Sequence, residues 1–118
     1  MNAGEFVQKW AAAKGSERGQ SQEHFIDLCR LLAEKTPSEA DPSRSFYTFE
    51  QGALTPDGDR FADVWLKDHF AWEYKGKHKD LVDAYKQVNG YREALGNPPL
   101  LVVSDMERFE VHTKLDQH

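Results

Sequence analysis

Residues 61–79 read FADVWLKDHFAWEYKGKHK, and the fold turns on this stretch. Arg60 to Leu66 and Phe70 to Lys75 are rich in aromatic and apolar residues and flank Lys67-Asp68-His69, a length that suits a hairpin loop. Side chains alternate along a strand, so Ala71, Glu73 and Lys75 share one face. Phe70, Trp72 and Tyr74 point the other way and read as core. A glutamate and a lysine on so apolar a strand need partners, because an unpaired buried charge is costly. The plainer reading is a salt bridge on a wet sheet face. Asp63 tips the balance. It sits between Ala62 and Val64 in the preceding strand, and if the two strands pair it approaches Glu73 and Lys75 across the ladder.

Working outward, residues 3–14 carry Phe6, Trp10 and Ala13 at helical spacing. Ser16 is a good N-cap for a second helix, whose stripe is Phe25, Leu28, Leu31 and Leu32 and which ends near Thr36-Pro37. Pro37 to Arg44 reads as a surface loop. Phe46 to Glu50 is a short aromatic strand, followed by a Pro56-Asp57-Gly58 turn. Leu81, Val82, Tyr85, Val88, Tyr91, Arg92 and Leu95 mark a third helix closed by Gly96. Leu100 to Val103 is continuously apolar, as in a strand buried on both faces, and Phe109 to Thr113 is a last strand. The expectation is one α/β domain over 1–118, a central mixed sheet flanked by helices. Its parts are N-terminal helices in 1–36, strands in 46–75, a helix in 80–95 and closing strands in 100–113.

The chain's 118 residues suffice for one domain and not for two. With 39% hydrophobic and 30% charged residues it is globular in composition. No apolar run approaches the roughly 18 residues that cross a bilayer, and the N-terminus lacks a signal-peptide stretch, so no membrane partner is expected and a cytoplasmic location is the default. Cys29 is the single cysteine, which excludes a disulfide framework and a cysteine zinc site. The net charge of −5 argues against a free-standing DNA binder held by charge alone. It is compatible with carboxylates that hold a divalent cation.

Two carboxylates brought together repel, and a divalent cation relieves that repulsion. Asp63, Glu73 and the backbone carbonyl of Tyr74 offer hard oxygen ligands of the kind Mg²⁺ prefers, with Mn²⁺ as a substitute. Such a metal activates water and stabilises charge on a phosphodiester, and Lys75 then orients the water or stabilises the developing charge. The stretch EYKGKHK, 73–79, is the most basic of the chain. Lys77, His78 and Lys79 are placed either against a phosphate backbone or in solvent.

The ordered set Asp63, nine residues, Glu73-Tyr74-Lys75 resembles the D-x(n)-ExK signature of PD-(D/E)XK nucleases, which have the restriction-endonuclease-like fold. Gln87-Val88-Asn89-Gly90-Tyr91 is similar to the QxxxY motif of their RecB-like branch. Gln87 and Tyr91, four apart, share a helix face. They are either a core tyrosine with a glutamine at its rim, or residues that touch the active-site lysine, the metal shell or DNA. The resemblance adds Glu17, at the opening of the second helix, as a further acid near the metal; Glu23 competes for that part. More narrowly, residues 16–32, 41–52, 61–81 and 91–113 resemble the N-terminal nuclease region of bifunctional type II restriction endonuclease–methyltransferases. That resemblance implies Mg²⁺-dependent cleavage of double-stranded DNA with 5′-phosphate products, and methyltransferase and target-recognition domains elsewhere in full-length relatives. Cutting both strands calls for two active sites, which is compatible with a homodimer on DNA.

Other features carry less. Asn97-Pro98-Pro99 is similar to a methyltransferase tetrapeptide, but Leu100 follows where an aromatic residue belongs, and the turn reading wins. His24 and Cys29, five apart, are off one face and make no nucleophile–base pair. Two rival functions stay open: a catalytically silent module of the same fold that binds DNA or docks a methyltransferase partner, and a nuclease for RNA or single strands.

Overall fold

The computed structural model describes residues 1–14, 17–56, 58–76 and 80–113, without the side chains of residues 17 and 18. Its elements are α1 (Ala3–Ala12), α2 (Glu17–Leu31), α3 (Pro37–Ala40), β1 (Tyr47–Thr55), β2 (Gly58–Leu66), β3 (Phe70–Tyr74), α4 (Leu81–Gly90), a 3₁₀ turn (Glu93–Leu95), β4 (Leu100–Ser104) and β5 (Phe109–Thr113). The sheet runs β1-β2-β3-β4-β5. Only β3 and β4 are parallel, joined by the crossover that contains α4; the other pairs are antiparallel. The expected mixed sheet with helices on both faces is therefore present.

Each face has its own core. Trp65, Ala71, Leu101 and Val103 pack with Leu81, Ala84, Val88 and Tyr91 from the α4 side. Val64, Trp72, Tyr74 and Val102 pack with Phe6, Trp10, Phe25 and Cys29 from α1 and α2. Strand β4 feeds both cores, which is why Leu100 to Val103 lacks polar alternation. The opposite faces of β3 divide as expected, with Phe70, Trp72 and Tyr74 on the α1–α2 side.

Local chemistry explains most boundaries. Asn2 and Glu5 form a capping box at α1, and Asp80 caps α4 through the Val82 N–H at 2.8 Å. The loop predicted over 37–44 instead contains α3, because Thr36 and Glu39 make a second capping box and Pro37 takes the first helical position. Helix α2 stops at Leu31, before the expected Thr36-Pro37, with Ala33 left-handed at φ 56°. The third predicted helix breaks after Gly90 and resumes as the 3₁₀ turn, which Gly96 closes at φ 83°. Ser16 lies outside the described residues. Strand β1 runs to Thr55, five residues past its predicted end, because the weakly β-forming Gly52-Ala53-Leu54 is paired against β2.

One irregularity positions the site. Phe49 and its partner Val64 pack in the α1–α2 core, whereas Ala53 and Ala62, farther along the same hairpin, pack in the α4 core. Regular alternation would keep 62 and 64 on one face. The switch falls at Glu50, with φ 55°, and at Asp63, which stands opposite it in the register. Beyond this point β2 leaves β3: their pairing spans only Val64–Trp72 to Leu66–Phe70. The sequence predicts Asp63 within the ladder; the structure puts it at the fork where the ladder ends.

Candidate active site

At the fork the Asp63 carboxylate accepts the Tyr74 N–H at 2.7 Å. It thereby takes over the ladder's part for a residue that is completely buried. The same bond fixes Asp63 beside the peptide between Glu73 and Lys75. Glu73 and Lys75 follow Ala71 on the face turned to α4, and both are half-buried.

Helix α4 grips both. The Tyr91 hydroxyl donates to Glu73 Oε2 at 2.6 Å, and Lys75 Nζ donates to Gln87 Oε1 at 2.7 Å. The fit follows from pitch. Four residues of helix rise about 6 Å, and two residues of strand advance about 6.6 Å. Because α4 returns antiparallel to β3, the later helical residue meets the earlier strand residue. Of the alternatives open for Gln87, the structure selects contact with the lysine.

Of the alternatives open for Tyr91, the structure selects the core tyrosine. Its ring is buried and its hydroxyl is committed to Glu73 and to the Phe61 carbonyl at 3.2 Å, so it supports the carboxylate from beneath. Burial raises the phenol's pKa, and the adjacent Glu73 and the nearby Asp63 charges raise it further, against a smaller opposing effect of Arg60. The phenol therefore stays protonated and donates. Glu73 alone bonds this hydroxyl, while Asp63 is tied to the neighbouring Tyr74 N–H. Beside them a cleft of about 430 Å³ opens between the β1–β2 hairpin and α4, lined by Glu73, Gln87 and Tyr91 together with Arg60, Phe61 and Lys86.

Behind the sheet, His24 is fully buried. Its Nδ1 is 2.8 Å from the Tyr74 hydroxyl and its Nε2 is 3.2 Å from the Met106 carbonyl. A carbonyl only accepts, so Nε2 carries the proton and Tyr74 donates to Nδ1. Burial lowers the His24 pKa to about 4, despite the Met106 and Asp27 contributions that raise it. His24 thus holds the strand from behind, while Cys29 sits in the same core. Sequence reading misses this bond, which spans 50 positions and has no spacing signature.

Lys77, His78 and Lys79 lie outside the described residues, as does the Glu17 side chain. The helix that Glu17 opens packs on the sheet face opposite Glu73. Glu23 is engaged by Lys9 at 3.3 Å. The Asn97-Pro98-Pro99 turn is clamped by Arg92, whose buried guanidinium donates to the Pro98 carbonyl at 3.1 Å, in keeping with the turn reading. Among the described residues no three His, Cys, Asp or Glu side chains form a metal-binding group, and no helix is long and apolar enough to cross a membrane.

Searches of curated proteins and of solved structures return no match to this chain. The profile of the MmeI N-terminal domain matches residues 1–118, the whole of it, which brings a restriction–modification context. The chain belongs to the family of MmeI N-terminal domains.

Proposed function

We propose that this chain is the cleavage module of a restriction–modification enzyme: a metal-dependent DNA endonuclease with a PD-(D/E)XK site made of Asp63, Glu73 and Lys75. The observation that carries the reading is the fork, where the Asp63 carboxylate rests on the Tyr74 N–H, between the glutamate and the lysine. The donor set fits a hard divalent cation: Asp63, bonded to the Tyr74 N–H, and the adjoining Glu73, with the Tyr74 carbonyl as a backbone ligand, offer the oxygen donors that suit Mg²⁺ or Mn²⁺. Bound there, the metal would supply Lewis-acid stabilisation and a more acidic water. Glu17 is a further acid for the same set.

The chain's own residues do the rest. Tyr91 holds Glu73 in place by its hydroxyl, and Gln87 holds the Lys75 ammonium. Lys75 orients the attacking water and stabilises the negative charge that develops on phosphorus oxygens. The substrate is double-stranded DNA, the products carry 5′-phosphates, and Lys77, His78 and Lys79 contact the backbone near the cut. Sequence recognition and methylation come from partner domains, and paired cuts from two copies on DNA.

Plasmid cleavage with Mg²⁺ tests this reading. The native chain is expected to nick or linearise supercoiled DNA, and Lys75→Ala to lose at least about a hundredfold in rate, as for removal of one charge-stabilising donor. Equal nicking by the two proteins removes Lys75 from the mechanism.

A further inference from the structure

The cleft beside Glu73 does not end at Tyr91. A second cavity of about 570 Å³ continues past it towards Asn89, Glu93 and Asn97. The two share Thr55, Pro56, Gly90 and Tyr91, so they form one groove between the hairpin and the end of α4, and Gly90 stands at its waist. A Cβ built on Gly90 meets nothing within 4 Å. No neighbour and no left-handed backbone therefore requires glycine there, and in a helix glycine costs about 1 kcal/mol relative to alanine. At the Glu73 end the two walls are cationic: Arg60 on the hairpin and Lys86 on α4. Both are exposed, and Arg60 is close enough to act on the Tyr91 hydroxyl.

We infer that this groove is the track of one DNA strand leaving the cleavage site, held at its backbone phosphates by Arg60 and Lys86 and admitted past a deliberately bare Gly90. A phosphodiester brought to Glu73 arrives as part of a chain, and its neighbouring phosphates need both cations and room. An enclosed pocket would suit a small ligand; an open groove whose first lobe has a cation on either wall suits a linear polyanion, with Arg60 and Lys86 as its phosphate contacts and the second lobe, lined by Glu93, as its exit. The inference deepens the nuclease reading and rests on it for the identity of the ligand.

The test is anisotropy of a short fluorescein-labelled DNA duplex, with Ca²⁺ replacing Mg²⁺ to suppress cleavage, at several salt concentrations. The Arg60→Ala/Lys86→Ala variant is expected to bind at least tenfold more weakly. Its slope of log affinity against log salt should be shallower by about two, one for each lost phosphate contact. Lys35→Ala, an exposed residue on the other side of the sheet, should bind as the native chain does. Gly90→Phe should lose binding comparably, while Gly90→Ala keeps it and melts no lower than the native chain, which separates blockage from misfolding. Unchanged binding by the double variant, Gly90→Phe binding as well as Gly90→Ala, or no binding by the native chain at low salt overturns the inference. Loss of binding in these variants without any Mg²⁺-dependent cleavage by the native chain would sink the nuclease reading and leave the groove standing. Native cleavage that the variants match would do the reverse.

Discussion

Asp63 has two separable duties, and substitution distinguishes them. Its carboxylate accepts the buried Tyr74 N–H, a charge-assisted bond of about 1.5–3 kcal/mol. Asp63→Ala leaves that N–H unpaired and should destabilise the fold by about that amount in urea melts. Asp63→Asn keeps an acceptor but not the charge; it should cost less than about 1 kcal/mol yet abolish cleavage. Equal destabilisation by both would mean that the charge, not the bond, holds the fork. His24 gives a pH prediction. Its folded pKa, about 4, lies below the ordinary 6.5, so the unfolded chain takes up the proton first. Stability is then complete above pH 6.5 and declines as pH falls through 6.5 towards 4, by on the order of 3 kcal/mol. Melts between pH 7.5 and 4.5 check this, and a flat profile contradicts it. The candidate residues of the site were legible in sequence because strand alternation and helix spacing are local rules. The Asp63–Tyr74 and His24–Tyr74 bonds were not, because they join backbone or buried atoms across elements.

Among the elements, β3, β4 and β5 were the most legible, each ending within a residue of its expected bounds, because turn or polar residues flank their apolar runs; α4 stops at Gly90, five residues before the expected Leu95. Strand β1 was the least, because Gly52-Ala53-Leu54 has no strand signature and extends only by pairing with β2. The end of α2 shows a related failure. Ala33 is left-handed, and the Ala33 N–H to Arg30 carbonyl bond at 3.2 Å and the Glu34 N–H to Cys29 carbonyl bond at 2.8 Å make a Schellman motif. That motif favours glycine, so an alanine conceals it from sequence reading. The exposed Ala33→Gly change should therefore raise stability by about 1 kcal/mol, seen as a higher urea midpoint with unchanged slope; a lower midpoint would contradict the cap.

At the scale of the whole molecule, two cores hold one sheet, and the β1–β2 hairpin changes faces between them. The change opens the fork; before it, where β2 still pairs with β3, Trp65 Nε1 donates to the Leu95 carbonyl of the 3₁₀ turn at 2.9 Å. The α/β class and the helices on both faces could be read from the order of patterns. The face change could not, because it depends on a positive φ at Glu50, a residue type with no preference for one. The net charge of −5 fits the proposed module, in which a metal and partner domains would add to its hold on DNA. The most direct measurement is a Mn²⁺ titration followed by electron paramagnetic resonance, comparing the native chain with Asp63→Asn. The native chain should take up the ion and the variant should leave it in solution with its fold intact; equal uptake by both, or none by the native chain, would contradict a metal centre at the fork.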